Sequence, residues 1–302
     1  MIKRFLDFVE MRTKLATILP FLTALAYVFY TTGRINFTST LIYIPASLML
    51  DMAVTAINHH FEDVRERKLS PHYPKWVSLG LIAAMLLGFA AVGLYLVSIH
   101  GLTLLLAGGF CLAAGVAYSF GPAPISKSSY GELVSGFVVG TVVMFIVTTI
   151  NDPSFQPLGL GFDAQSLRLS MDIDLAGLAL FGIVTLPAAL CGANIMLANN
   201  ICDAQADRQT RYTLVHNIGR RGALGLYVGL YCAAYLSIVV SVLIGSIPVI
   251  CLASLVTLIP VRKNVRRFLD KQSKDETFVL SVKNFVLILC AYALTMALGR
   301  LV

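Results

Sequence analysis

Two short stretches carry amide and acidic side chains at a four-residue step. In "NNICDAQADRQTR" (199–211) they are Asn199, Asp203 and Asp207. In "NHHFEDVRE" (58–66) they are Asn58, Glu62 and Glu66, with Asp63 beside them. Four residues is close to one helical turn, so each triplet falls on one face of a helix. Asp51 lies seven residues before Asn58, two turns up the same face. Carboxylate and amide oxygens without His or Cys suit hard cations. Mg²⁺ held by few carboxylates completes its octahedron with phosphate oxygens and water. Facing carboxylates also repel unless cations lie between them. Arg65, Arg67, Lys68, Lys127, Arg208 and Arg211 supply positive charge that can hold an anion over such metals. The pattern reads as a magnesium–diphosphate site. His59 and His60 are adjacent, point about 100° apart on a helix, and read as polar interface positions rather than chelators. Glu132, in "KSSYGELVSGF", is either a helix N-terminal carboxylate favoured by the dipole or a further site residue.

The elements that position these residues are membrane helices. Of 302 residues 57% are hydrophobic and 13% charged, with a mean hydropathy of +0.80. Soluble domains carry roughly a quarter charged residues, so half that value with long apolar runs indicates an integral membrane protein. The six cysteines are scattered without CxxC spacing, which indicates neither a zinc site nor a disulfide framework. The first apolar run is too long for a signal-peptide core and is expected to be retained. Hydropathy marks nine spans, at about 15–32, 39–58, 76–99, 101–120, 131–151, 175–198, 222–243, 245–261 and 278–299. The expected architecture is all-α: one polytopic domain over 1–302, with nine transmembrane helices surrounding a central cavity. The segment 1–14 reads as an interfacial helix.

Lys and Arg set the orientation. With a cytoplasmic N-terminus, 20 of them fall inside and three, Arg34, Arg168 and Arg300, outside. The net charge of +7 is then topology and attraction to anionic lipid, and no nucleic-acid partner is needed. This orientation puts both triplets at cytoplasmic helix ends, in the segments 58–75 and 199–221, as halves of a weak internal duplication. A cation-coupled transporter is the rival from a different class. Against it, the triplets sit at helix ends on one side and not at the bilayer midplane.

"NNICDAQADRQTR" resembles the second aspartate-rich motif of the UbiA superfamily of intramembrane prenyltransferases, and "NHHFEDVRE" resembles the first. "FLDFVEMRTKLATILPFLTALAY" and "AYSFGPAPISKSSYGELVSGFVVGT" look most like the branch that prenylates 1,4-dihydroxy-2-naphthoate in menaquinone synthesis, with Tyr118, Gly121, Pro122, Gly131, Glu132 and Leu133 matching. The resemblance implies two Mg²⁺ ions on Asn58, Glu62, Glu66, Asn199, Asp203 and Asp207, with Asp63 as an alternative ligand. Glu62 and Glu66 stand where the family has aspartates. It also implies a catalytic centre at Asn58, Glu62, Asp203 and Asp207. Diphosphate contacts are expected from Arg65, Lys68, Lys127, Arg208 and Arg211, and substrate contacts from Arg12, Asp51, Tyr118 and Glu132. The partners implied are a polyprenyl diphosphate, an aromatic acid and the bilayer, with the site on the cytoplasmic side of the cell membrane. Dihydroxynaphthoate is the first acceptor expected, giving demethylmenaquinone, and 4-hydroxybenzoate the alternative.

Overall fold

The computed structural model describes residues 2–10, 14–65, 73–163, 165–205 and 212–302, and for residues 2, 15, 16 and 62–65 the backbone alone. Apolar runs of membrane length become helices because backbone groups in lipid must pair within their own segment. A short helix α1 (Ile2–Phe8) precedes α2 (Leu15–Thr32), α3 (Phe37–Arg65), α4 (Lys75–His100) and α5 (Leu102–Ser119). A 3₁₀ turn at Ile125–Lys127 leads into one continuous span made of α6 (Gly131–Gly136), a π-helical turn (Phe137–Val142) and α7 (Val143–Asn151). After a hairpin come α8 (Leu175–Asp203) and α9 (Leu214–Leu243). A 3₁₀ helix (Val249–Thr257) then runs into α10 (Leu258–Asp270), and α11 (Phe278–Leu298) closes the chain.

Among the described residues, seven helices are long and apolar enough to cross a bilayer. The first expected span is a shorter apolar helix, Thr17–Thr32. The eighth departs further from expectation. In place of one apolar helix over 245–261, the chain forms the 3₁₀ segment and then the amphipathic α10, which buries Val261, Val265 and Phe268 and carries Arg262, Lys263, Arg266 and Arg267. Pro248 caps the start without an N–H to donate, and the basic residues from 262 onward favour a polar surface.

The all-α expectation has one further exception. β1 (Leu158–Asp163) and β2 (Arg168–Ile173) form an antiparallel hairpin, paired from Leu158↔Ile173 to Asp163↔Arg168. Period-two alternation places Leu158, Leu160, Phe162, Leu169, Met171 and Ile173 on one face. The hairpin connects the fifth and sixth expected spans.

Lipid gives little hydrophobic drive for helix association, so close approach and interhelical hydrogen bonds hold the bundle. A Cβ on Gly136 would lie 2.4 Å from the Ala189 carbonyl oxygen, and one on Gly140 would lie 2.2 Å from the Ala189 nitrogen. The two glycines therefore let the fifth span press against α8. Among the described residues, a Cβ on Gly222 would lie nearest to Ile218 of its own helix, and one on Gly225 or Gly229 would meet nothing within 4 Å. Buried hydroxyl and amide groups tie α8, α9 and α11 together. Asn194 Nδ2 donates to the Tyr227 carbonyl at 2.9 Å, Tyr227 Oη pairs with Ser281 Oγ at 2.8 Å, and Tyr292 Oη donates to the Val184 carbonyl at 3.0 Å.

Candidate active site

The charged ends of the helices meet along one rim. Phe61, near the end of α3, packs on Phe120 just past α5, with ring centroids 4.7 Å apart. The Tyr212 N–H donates to the Lys127 carbonyl at 3.1 Å, and Asn217 Nδ2 donates to Ser129 Oγ at the next turn. These contacts bring the segment after the second motif onto the turn before the fifth span. Arg220 donates to Gln272, drawing in the loop between α10 and α11.

The second motif is carried by the last turn of α8. Asn199 and Asp203, one turn apart, converge on a single ammonium group. Lys274 Nζ donates to Asn199 Oδ1 and, at 2.5 Å, to Asp203 Oδ2. The pair is open to solvent, with Lys274 45% and Asp203 31% exposed. Lys274 Nζ also lies 5.3 Å from the centroid of the Phe278 ring. Amide and carboxylate oxygens a turn apart thus converge on one positive charge. An oxygen-only donor set of this kind fits Mg²⁺. Asn200, the next residue, points the other way. Its Nδ2 donates to Glu132 Oε1 at 2.8 Å, and Glu132 is 4% exposed, with no hydrogen-bond partner for Oε2 among the described residues. Glu132 thus ties the start of the fifth span to the motif helix and lies apart from the cavity wall described below.

On the first half, Asn58 stands half-buried on α3. The two histidines beside it contact different elements. His59 Nδ1 lies 2.8 Å from the Phe8 carbonyl and Nε2 lies 3.2 Å from Glu10 Oε1, while His60 Nδ1 lies 2.9 Å from Ser78 Oγ. The hydrogen bond from His59 holds the Glu10 carboxyl below its ordinary pKa against the opposing effect of burial, with the positive charges of His59, Lys14 and Lys274 adding to it. Lys274 belongs to the second half and Lys14 to the first, so both halves act on one carboxylate. The side chains of Glu62, Asp63 and Arg65 lie outside the described residues, as do Arg12, Glu66, Lys68, Asp207, Arg208 and Arg211 altogether.

Deeper along α3, Asp51 is bound on both oxygens. Lys14 Nζ donates to Oδ1 at 2.8 Å and Thr17 Oγ1 donates to Oδ2 at 2.7 Å. Lys14 is 3% exposed, and its remaining protons reach Thr55 Oγ1 at 2.8 Å and the Asp51 carbonyl at 3.3 Å. Asp51 and Thr17 border a cavity of about 210 Å³. Its walls combine side chains of α3, α4 and α5 with Val and Ile from the fifth span, including the π-helical turn, and Ser47, Tyr118 and Ser135 are polar points among them. A second cavity of about 180 Å³ adjoins it, sharing Tyr43, Phe89 and Ile146, with a lining otherwise almost wholly aliphatic. Of the expected substrate contacts, Asp51 and Tyr118 share this first wall. Lys14, Lys274 and Asn200 were not singled out by their sequence. Lys14 and Lys274 look like topology charges, and Lys274 is 71 residues from Asp203.

Comparison with known proteins bears on the fold and the family. A 156-residue segment is 29% identical to 1,4-dihydroxy-2-naphthoate octaprenyltransferase of Bacillus subtilis (strain 168), over 51% of this chain and 43% of that protein. The match therefore spans less than half of the relative's length. The fold is shared with a UbiA homologue from Archaeoglobus fulgidus bound to GPP and Mg²⁺, at a TM-score of 0.66 and 13% identity, over 99% of this chain and 100% of the other. It is shared too with the apo UbiA homologue from Aeropyrum pernix K1, at a TM-score of 0.61 and 18% identity, over 94% and 96%. The pattern of one family extends over residues 17–289, nearly the whole chain: this integral, multi-pass membrane protein belongs to the UbiA prenyltransferase family.

Proposed function

We propose that the protein transfers a polyprenyl group from a polyprenyl diphosphate to the ring of 1,4-dihydroxy-2-naphthoate, at the cytoplasmic face of the cell membrane. The observation that carries the reading is an apolar cavity lined by Asp51 and Tyr118, in a bundle whose second motif closes Asn199 and Asp203 around one cationic group. An apolar cavity with a few polar points is the ordinary make-up of a small-molecule site. The adjoining aliphatic cavity has the chemistry of a prenyl tail.

Asn58, Glu62, Glu66, Asn199, Asp203 and Asp207 would hold two Mg²⁺ ions, Asp63 being the alternative ligand in the first half. When bound, the metal supplies positive charge that neutralises the departing diphosphate. Lys127, Arg65, Lys68, Arg208 and Arg211 add preorganised cationic donors around the same anion. The allylic C–O bond breaks with its electron pair leaving on diphosphate, and the ring carbon bearing the carboxylate bonds to the allylic carbon. That carboxylate departs as CO₂, and its C–C electron pair restores the aromatic ring. The product is the prenylated naphthalenediol, the reduced form of demethylmenaquinone. No Ser or Cys nucleophile is required by this sequence of bonds.

The naphthoate assignment rests on the partial match to the Bacillus subtilis enzyme and on the motif around Tyr118 and Glu132. Membranes containing the protein, given labelled polyprenyl diphosphate, Mg²⁺ and a panel of aromatic acids, should yield a labelled lipid from dihydroxynaphthoate. Product from 4-hydroxybenzoate and none from dihydroxynaphthoate would overturn the branch.

A further inference from the structure

Lys14 and Asp51 form a charged pair inside an apolar bundle, and the cation-binding pair at the rim makes no use of it. Burying two charges costs several kcal/mol per ion unless the geometry is good and the remaining donors and acceptors are satisfied. Here the cationic side is fully spent. An ammonium has three N–H donors, and Lys14 places them on Asp51 Oδ1, Thr55 Oγ1 and the Asp51 carbonyl. Lys14 therefore has no proton left to offer a ligand. The anionic side is different. A carboxylate has about four lone-pair directions, of which Lys14 and Thr17 occupy one on each oxygen. Asp51 is 27% exposed and borders the cavity. It is also the one charged group among the described residues on that wall.

What the cavity shows a ligand at this point is an acceptor without a donor. A second carboxylate or a phosphate would be repelled there, whereas a hydroxyl group would be held. We propose that Asp51 binds a ring hydroxyl of the aromatic acceptor and that Lys14 is the positioning residue that fixes Asp51 for it, with Thr17 steadying the second oxygen. The acceptor then enters hydroxyl first, and its carboxylate faces away from Asp51. The pair sets which end of the acceptor reaches the bottom of the cavity. This rests on the reading that the cavity takes an aromatic acceptor.

The experiment compares wild type with Asp51→Asn, Lys14→Met, Lys14→Arg and Thr17→Val, in membranes with saturating Mg²⁺. KM is measured separately for the polyprenyl diphosphate and for dihydroxynaphthoate, and each protein is also given the acceptor with one hydroxyl blocked as its methyl ether. Removing a hydrogen bond to a charged group weakens binding by roughly tenfold to a hundredfold. We expect Asp51→Asn and Lys14→Met to raise the acceptor KM by that factor and to leave the diphosphate KM within twofold. Preference for the hydroxyl compound over its ether should collapse in both. Lys14→Arg should recover part of the loss, and Thr17→Val, which keeps the ion pair, should show a smaller rise of the same kind. Two results overturn the proposal while leaving the aromatic-acceptor reading intact. One is an unchanged acceptor KM in Thr17→Val and Asp51→Asn with the ether still rejected. The other is a rise confined to the diphosphate KM. A wild-type protein that prenylates no hydroxyaromatic compound overturns both the proposal and the reading beneath it.

Discussion

Asp51 and Asp203 each face a lysine remote in sequence, and the two pairs are built for opposite purposes. Lys14 is 3% exposed and donates three hydrogen bonds inside the bundle. Lys274 is 45% exposed, in a loop, over the face of Phe278. The first pair is locked by its surroundings and holds a carboxylate in one geometry. The second is a loose counter-ion at the rim, which a stronger cation can displace. A bundle with two related acidic motifs has thus fixed one carboxylate within the membrane and left the other open to solvent. On the function proposed above, the first would position a substrate and the second would receive a metal.

The largest effect should come from the open half. Asp203→Asn keeps the shape and removes the charge that a divalent cation needs. Lewis-acid neutralisation of a departing group contributes several kcal/mol, so prenyl transfer should fall by at least about a hundredfold. Turnover of labelled polyprenyl diphosphate in isolated membranes measures it. A rate within threefold of wild type would remove Asp203 from the metal site.

Stability should sort the two lysines the other way. Breaking a buried pair by removing one partner leaves an uncompensated charge and costs about 3–5 kcal/mol, whereas exposed pairs contribute about 0–1 kcal/mol. Lys14→Met should lower the thermal midpoint in detergent far more than Lys274→Met. Lys14→Met combined with Asp51→Leu should regain much of the loss. Equal midpoints for the two single variants would erase the distinction drawn between the pairs.

A finer test uses metal binding without turnover. If Lys274 holds the place of a cation, Lys274→Met removes a competitor. Titration of the diphosphate-free protein with Mn²⁺, followed by calorimetry or electron paramagnetic resonance, should show affinity raised about two- to fivefold, the scale of one exposed ion pair. A lower affinity would mean that Lys274 supports the site and does not compete for it.

The unequal legibility of the two pairs follows from what carries each signal. Helix spans were readable because length and apolarity are local, and the second motif because its ligands recur every turn. The segment 245–261 reads as apolar by composition, but Pro248 and the basic face of α10 make it a 3₁₀ turn followed by an amphipathic helix. The hairpin at 158–173 has clear period-two alternation in "LGLGFD" and "RLSMDI", a pattern that a search for long apolar runs passes over. His59 and His60, adjacent on α3, meet different partners, the Phe8 carbonyl and Glu10 for one and Ser78 for the other. Lys14 and Lys274 were hidden because a lysine at a membrane edge has an ordinary explanation in orientation. Only the fold brings one beneath Asp51 and the other between Asn199 and Asp203.

The smallest expected effect lies where the two halves meet, at Glu10. His59 Nε2 approaches its carboxylate at 3.2 Å while Nδ1 faces the Phe8 carbonyl, so this contact docks the chain after α1 onto α3. The Glu10 carboxyl is lowered from 4.5, first by the hydrogen bond from His59. A carboxyl lowered on folding stabilises the folded form at pH above its unfolded value, and that contribution disappears as pH falls through the folded value. The contribution of Glu10 to the docking of α1 should therefore be fully present above about 4.5 and fade below it. Because Glu10 is 48% exposed, solvent screening holds the gain to a fraction of 1 kcal/mol. Hydrogen exchange of the α1 amides should be slightly faster in Glu10→Gln than in wild type at pH 7, and the two should converge near pH 3 once rates are corrected for intrinsic exchange. A gap that persists at pH 3 would show that Glu10 acts by packing and not by charge. The two halves would then be coupled through the contacts of the rim alone.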